Sequence, residues 1–320
     1  MYNNWPILVI DTVHPLLHKL LIEQGFILTE GYDWDKEKIS KELPNYKGLI
    51  IRSRITIDKE IIDAAKELKF IARYGAGMEN IDVAYAESKN IHCLHAAAGN
   101  MDAVAEHAIG MLLNLFNNIN KADAEVRQYQ WHREANRGEE LAGKTVGIIG
   151  YGNMGSAFAK RLQGFDVKVL VYDKYKSNYI GASQWIEEST LERIQNEANV
   201  ISFHIPLTNE TNGMINYQWL SAFKLPIYLI NTARGKVLNT ADAMRLMQEN
   251  KIKGMCLDVL EYEDTSFEHL NDSHQNATIK ALFASPKVIL TPHIAGWSHQ
   301  SNIKLAQVLA AAIIKCCTTN

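Results

Sequence analysis

The chain has 320 residues, enough for about two domains with sizeable cores. Its 47% hydrophobic and 22% charged residues match an ordinary soluble protein, and 33 basic against 36 acidic residues leave a net charge of −3. That balance gives no electrostatic case for nucleic acid or an anionic membrane as a partner, so local positive charge must hold any anionic ligand. Cys93, Cys256, Cys316 and Cys317 have no metal-ligand spacing and form no disulfide framework, so no metal is expected and reduced thiols in a cytoplasmic protein are. Residues 1–11 lack the basic stretch and apolar core of a signal peptide. No apolar run approaches the roughly 20 residues that would span a bilayer.

Short apolar runs alternate with helical spacing along nearly the whole length. Residues 7–10 read as a first strand, with further strands at 48–51, 70–73 and 91–94 and helical patterns between them, such as 15–24 and 59–67. This is a small open α/β unit. A break follows at 96–100, Ala-Ala-Ala-Gly-Asn. Residues 103–116 then predict a long, mostly apolar helix suited to a seam between domains, and 121–137 a more polar one. Glu106 and His107 lie side by side in the first; adjacent helix positions do not face each other, which reads as interdomain packing. A second α/β unit begins at Gly143, with strands at 145–149, 167–172, 200–204, 227–231, 255–258 and 288–290. Six is the number in a complete dinucleotide-binding sheet. Ser189 with Glu192 suggests a capping box between its second and third strands. After Thr291-Pro292 a last helix over 298–315, apolar at Ile303, Ala306, Leu309, Ala310 and Ile313, is expected to return to the first domain.

The turn after strand 145–149 is Gly150-Tyr151-Gly152-Asn153-Met154-Gly155, and it opens a helical stretch. Gly150 permits a tight turn, Gly152 lets backbone approach a pyrophosphate, and Gly155 lets the helix pack close to the strand. The helix N-terminus then offers free N–H groups to phosphates. Asp173, 23 residues after Gly150, ends the next strand, where it would accept hydrogen bonds from the adenosine ribose and favour NAD over NADP. Capping a turn is its other open role, and nearby Lys174 and Lys176 leave NADP use open.

Ligands of open α/β sheets bind beyond the carboxyl ends of the strands. Strand 227–231 leads into Thr232-Ala233-Arg234-Gly235, strand 255–258 into Val259-Leu260-Glu261-Tyr262-Glu263, and strand 288–290 into Thr291-Pro292-His293-Ile294-Ala295-Gly296. An arginine, an acid and a histidine at adjacent strand ends suit hydride transfer. Imidazole is the natural base near neutral pH, a carboxylate fixes its tautomer, and a guanidinium grips a substrate carboxylate with two hydrogen bonds. Glu261 and Glu263 lie on the same strand-like face, so by position either can partner His293.

In this combination the chain resembles the D-isomer-specific 2-hydroxyacid dehydrogenases. The resemblance rests on Arg73-Tyr74-Gly75-Ala76-Gly77-Met78-Glu79-Asn80-Ile81-Asp82, the glycine turn, Asn231-Thr232-Ala233-Arg234-Gly235, the segment 258–263, and Thr291-Pro292-His293-Ile294-Ala295-Gly296. These run in family order from about residue 50 to 297. The resemblance implies an α/β protein of two open parallel-sheet domains. A cofactor (Rossmann) domain, 99–296, is inserted into a flavodoxin-like substrate domain, 1–98 plus 297–320, with substrate in the cleft between them. Residues 99–142 are then interdomain and dimerisation helices, with a homodimer expected through 103–116. The resemblance also implies that Arg234 binds and polarises substrate, that His293 is the acid/base, and that Glu263 rather than Glu261 tunes it. NAD contacts would come from Gly150, Gly152, Asn153, Met154, Gly155, Asp173, Thr232, Ala233, Asp258, His293 and Gly296. The loop Tyr74, Gly75, Ala76 and Gly77 would offer backbone N–H groups to the substrate carboxylate.

Two departures bear on loop geometry. Asp264 stands where the family often has proline, and the segment 263–293 looks longer than usual, with 273–284 reading as an extra helix. Trp297 would narrow the substrate pocket. Arg52-Ser53-Arg54 follows a first-domain strand, and a similar Arg-Ser-Arg segment occurs in phosphoglycerate dehydrogenases. Two arginines and a hydroxyl suit a distal phosphate, which points to 3-phosphoglycerate, and surface charge is the plainer alternative. The chain ends near its last helix, so no serine-binding regulatory domain is expected. Other substrates open to it are glyoxylate and hydroxypyruvate. A reading of another class is an NAD(H)-sensing protein like the C-terminal-binding-protein corepressors, which share this fold and keep these residues.

Overall fold

The computed structural model describes residues 4–181, 183, 185–263 and 276–318. The chain divides into two compact units, one of residues 4–101 with 297–318 and the other of 102–263 with 276–296. Among the described residues no helix is long and apolar enough to cross a membrane.

The first unit holds strands β1 (Trp5–Val9), β2 (Phe26–Glu30), β3 (Gly48–Ile51), β4 (Phe70–Arg73) and β5 (His92–His95). All pair in parallel in the order β2-β1-β3-β4-β5, the flavodoxin-like arrangement. Central strands are covered on both faces. Ile7 and Val9 enter one apolar cluster, while Leu8 and Ile10 enter the other, which is why β1 reads as an unbroken apolar run. β2 is a strand additional to the four expected in this unit. It is an edge strand in which only Phe26 is fully buried, so Phe-Ile-Leu-Thr-Glu carries no such run. The final helix, His299–Thr318, seats Leu305, Ala306, Leu309, Ala310 and Ile313 in the cluster of Ile7, Leu17 and Phe70, so chain end and chain start share one core.

The second unit holds seven parallel strands rather than six. They are β6 (Thr145–Ile149), β7 (Lys168–Tyr172), β8 (Ile186–Glu188), β9 (Val200–Phe203), β10 (Ile227–Asn231), β11 (Ile252–Leu257) and β12 (Val288–Leu290). The order is β12-β11-β10-β9-β6-β7-β8, so the winding reverses between β6 and β9 and opens a crevice at their carboxyl ends. The additional strand β8 is another edge, three residues long with two exposed glutamates. The polar helix expected over 121–137 is shorter, Ile119–Arg127, and is followed by a 3₁₀ turn at Glu134–Asn136. Tyr129 between them has φ +59°, a left-handed conformation that an α-helix does not continue through. The helix cap lies at Thr190, not Ser189. Its side chain accepts the Arg193 N–H at 3.2 Å, which leaves Glu192 in the first turn as an acid facing the helix dipole. Of the helix expected over 273–284, Ala277–Ala284 is observed, whereas Asp264 and residues 265–275 lie outside the described residues.

Candidate active site

The glycine turn is built as its spacing requires. Gly150 has φ +93°, and a Cβ there would lie 2.6 Å from the His204 carbonyl oxygen. A Cβ on Gly155 would lie 2.1 Å from the Gly150 oxygen, so the helix Asn153–Arg161 packs directly on the turn. Gly152 is the helix N-cap and has no side chain to occupy the first N–H groups, and nothing lies within 4 Å of where its Cβ would stand. The helix therefore presents unsatisfied donors and a positive dipole end to open space, flanked by exposed Asn153 and half-buried Met154. Asp173 directly follows β7 and accepts the Tyr151 N–H at 2.8 Å and the Tyr175 N–H at 3.0 Å. It thus organises the turn, and the carboxylate retains acceptor capacity. Lys174 pairs with Glu210, and Lys176 donates to the Tyr151 oxygen at 2.6 Å.

At the ends of two neighbouring strands, the buried atoms His204 Nδ1 and Thr232 Oγ1 have no hydrogen-bond partner among the described residues. They follow β9 and β10, which pair Phe203 with Asn231. His204 is held neutral, its pKa pushed down to about 3 by burial, and its Nε2 lies 2.9 Å from Ser202 Oγ. Orphaned buried polar atoms are costly. Beside an open N-terminal cradle and a ribose-placed acid, they fit a dinucleotide.

Arg234 follows a turn that Asn231 ties on both sides. The buried Asn231 side chain accepts the Ala233 N–H at 3.1 Å and donates to the Arg234 oxygen at 3.0 Å. A Cβ on Gly235 would lie 1.9 Å from the Leu260 oxygen, so the arginine turn abuts the segment that leads to Glu263. The Arg234 Nη1 donates to the Ala233 oxygen at 2.6 Å.

His293 and Glu263 form a hydrogen-bonded pair, Nδ1 to Oε2 at 2.8 Å, with side chains 24% and 13% exposed. The other carboxylate oxygen of Glu263 accepts the Leu260 N–H. A carboxylate only accepts, so the imidazole carries its proton on Nδ1 when neutral and its lone pair on Nε2. Glu261 is committed elsewhere, because its Oε2 accepts the Thr240 N–H at 3.0 Å at the start of helix Thr240–Gln248. His293 itself has φ +55°, a strained conformation for a non-glycine residue. Asp258, 1% exposed, holds it there. Its backbone oxygen accepts the His293 N–H at 2.8 Å, and its carboxylate accepts the N–H groups of Ile294 and Ala295, both at 2.9 Å, and the Thr291 hydroxyl at 2.6 Å. Gly296 closes this loop.

His107 takes part in this scaffold, which corrects its reading as interdomain packing. Its Nε2 lies 3.0 Å from Thr291 Oγ1 and 3.6 Å from Asp258 Oδ1, within the second unit, while Glu106 pairs with Arg161 at 3.1 Å. The two neighbours diverge around the helix, and each finds its own partner. An acid and a histidine side by side in an apolar helix were the signal, and the histidine's partner lay 184 positions away.

In the first unit the Arg-Ser-Arg segment splits. Arg54 donates to the Ile10 oxygen at 2.7 Å and the Trp34 oxygen at 2.8 Å and pairs with Asp11 at 3.3 Å, so its expected role in phosphate binding gives way to a structural one. Arg52 instead lies over the Trp297 ring, 4.5 Å from the centroid, and Ser53 is half-buried. The loop expected to bind a carboxylate is also only partly free. The Tyr74 and Gly75 N–H groups are taken by Ile51 and Arg73 oxygens, at 2.7 and 2.9 Å. Those of Ala76 and Gly77 have no partner among the described residues. The Tyr74 ring is buried, and its hydroxyl sits 2.8 Å from Asn302 Oδ1.

Residues 109–295 match the family described as D-isomer specific 2-hydroxyacid dehydrogenase, NAD binding domain. The chain belongs to this family. A glyoxylate reductase of Thermofilum pendens is 34% identical over 295 residues, which cover 90% of the chain and 84% of that protein. A D-3-phosphoglycerate dehydrogenase of Archaeoglobus fulgidus is 32% identical over 87% of the chain and 51% of that protein, so the chain spans about half the length of such relatives. Among solved structures, D-lactate dehydrogenase from Aquifex aeolicus, complexed with NAD and lactic acid, superposes with a TM-score of 0.81 at 27% identity, over 98% of this chain and 96% of that one. The seven-stranded unit is thus the family's NAD-binding domain, and NAD is its cofactor.

Proposed function

We propose that the protein is an NAD-dependent oxidoreductase that interconverts a D-2-hydroxy acid and its 2-keto acid, with 3-phosphoglycerate and 3-phosphohydroxypyruvate as the pair. The observation that carries the reaction type is the His293–Glu263 hydrogen bond of 2.8 Å, held by Asp258 in an NAD-binding domain. NAD, when bound, would supply the hydride acceptor for oxidation, and NADH the hydride donor for reduction. In oxidation His293 Nε2 takes the hydroxyl proton. Glu263 stabilises the imidazolium that results and keeps Nδ1 protonated throughout. In reduction the imidazolium donates that proton back to the carbonyl oxygen. Arg234 grips the substrate carboxylate through its planar fork and draws charge from the adjacent carbonyl. Gly150, Gly152 and Gly155 shape the pyrophosphate cradle, and Asp173 takes the ribose hydroxyls. Thr232 Oγ1 and His204 Nδ1 meet the polar edge of the cofactor.

The phosphorylated substrate is supported by Arg52, whose guanidinium is uncommitted, with Ser53 beside it, and by relatives named D-3-phosphoglycerate dehydrogenase. The second reading is reduction of an unphosphorylated keto acid such as glyoxylate or hydroxypyruvate. The structural use of Arg54, which leaves one arginine where two were expected, favours that alternative. Following NADH absorbance with phosphohydroxypyruvate, hydroxypyruvate, glyoxylate and pyruvate tests both. Highest kcat/KM with phosphohydroxypyruvate, and a KM for it that rises selectively in Arg52→Ala, is the expected result. Equal rates across the panel overturn the substrate assignment. NADH binding with no turnover of any keto acid overturns the enzyme reading in favour of a sensor.

A further inference from the structure

Arg52 differs from every expectation for a surface arginine. Its backbone is pinned on both sides. The N–H donates to Asp11 Oδ2 at 2.5 Å, and the oxygen accepts from Arg73 Nε and Asn80 Nδ2, both at 3.1 Å. Its guanidinium lies 4.5 Å from the centroid of the Trp297 ring and donates no hydrogen bond to any described residue. Arg54, two residues on, has its donors on carbonyl oxygens and a carboxylate. Trp297 is 69% exposed, unusual for so large an apolar ring, and it turns a face to the cation. A guanidinium held over an aromatic ring by its charge keeps the N–H donors that are not aimed at the ring for an anion. The result is a cation restrained in position with an unused fork of donors, the geometry that grips a planar or tetrahedral oxyanion.

We propose that Trp297 is a positioning residue that sets preference for substrates bearing a second anionic group, by holding Arg52 with its donor edge open. This rests on the reading of the protein as a 2-keto acid reductase. The chemistry recognised is a distal oxyanion, whether phosphate or carboxylate. An unstacked arginine must give up rotamer freedom each time it binds an anion, whereas a stacked one has already surrendered much of it. Removing the indole therefore weakens binding of the distal anion without touching the groups that move the proton.

The test measures kcat and KM separately for phosphohydroxypyruvate, 2-oxoglutarate and hydroxypyruvate in the wild type, Trp297→Ala and Trp297→Phe. The range of cation–π strengths gives a loss of about 2- to 30-fold in kcat/KM for the dianionic substrate in Trp297→Ala. The loss is expected in KM and is larger for the substrates with a second anionic group than any change with hydroxypyruvate, and Phe should recover part of it because it retains a ring face. A uniform loss on all three substrates, or none on either dianion, overturns the inference even if the wild type prefers phosphohydroxypyruvate. A selective loss with 2-oxoglutarate alone supports the inference while it overturns the phosphorylated substrate. As a readout independent of turnover, the Arg52 side-chain N–H resonance should carry a ring-current shift that vanishes in Trp297→Ala and should move on addition of inorganic phosphate. A resonance that is unshifted in the wild type, or indifferent to phosphate, refutes the stack as an anion receptor.

Discussion

Replacing Glu263 by glutamine keeps shape and removes charge, and the two directions of the reaction should respond differently. The Nδ1 to Oε2 separation of 2.8 Å is that of a charge-assisted bond, and both side chains are largely shielded from water. Such bonds contribute about 1.5–3 kcal/mol, which at roughly 1.4 kcal/mol per tenfold is about a 10- to 150-fold loss of turnover. Geometry adds a second effect. The other Glu263 oxygen accepts the Leu260 N–H, and the amide oxygen of glutamine inherits that bond. Its NH₂ then faces His293 Nδ1, which must become an acceptor, so the ring proton moves to Nε2 and blocks the lone pair that oxidation requires. Oxidation of the hydroxy acid should therefore fall at the upper end of the range, and reduction at the lower. Initial rates in both directions at saturating cofactor, with melting curves to confirm the fold, measure this. Glu261→Gln is the control: an amide oxygen can still accept the Thr240 N–H, and only a helix-terminus charge of about 0.3–1 kcal/mol is lost. Turnover by Glu263→Gln within threefold of wild type in both directions, or an equal loss in Glu261→Gln, would refute the argument.

His293→Ala should lower turnover by about 10²–10⁴-fold while NADH affinity stays nearly intact; retained turnover would remove His293 from the mechanism. Asp173→Ala should weaken NADH binding and narrow the difference from NADPH, measured by fluorescence titration, and unchanged NADH affinity would show that the acid only caps its turn. His204 predicts a pH dependence of stability. Burial pushes its pKa down from 6.5 to about 3, so below pH 6.5 the unfolded chain binds a proton that the folded chain refuses. Stability is then lost at up to about 1.4 kcal/mol per pH unit as pH falls from 6.5 towards 3. Urea denaturation between pH 7 and 4.5 should be less steep with pH in His204→Asn than in wild type, and parallel slopes would contradict this.

Much of the fold is legible because its signals are local. Strands buried on both faces, such as β3, β6 and β10, appear as apolar runs, and a glycine turn followed by helical spacing and an acid declares itself within 30 residues. The edge strands β2 and β8 escape this reading for the same reason, since strands with few covered positions need few apolar residues. Cap position at Thr190 and the early end of the helix at Arg127 turn on single backbone conformations that hydrophobic pattern does not encode.

At the site, residue types and strand ends are sequence properties, but commitment is not. Glu261 and Glu263 share a strand-like face, and only the arrival of the Thr240 N–H beside one leaves the other for His293. Arg52 and Arg54 are alike in the chain. The carbonyl oxygens of Ile10 and Trp34 converge on Arg54, and the Trp297 ring, 245 positions on, lies under the guanidinium of Arg52. His107 reads as packing until the fold sets Thr291 and Asp258 against it. The sequence by itself determined the two parallel sheets, the glycine cradle and the inventory of acid, base and guanidinium, because period, turn and residue type are written over short spans. Tertiary structure alone decided which of those groups are already bonded and which are left to bind a ligand, because hydrogen-bond capacity is finite and is consumed by partners far away in the chain.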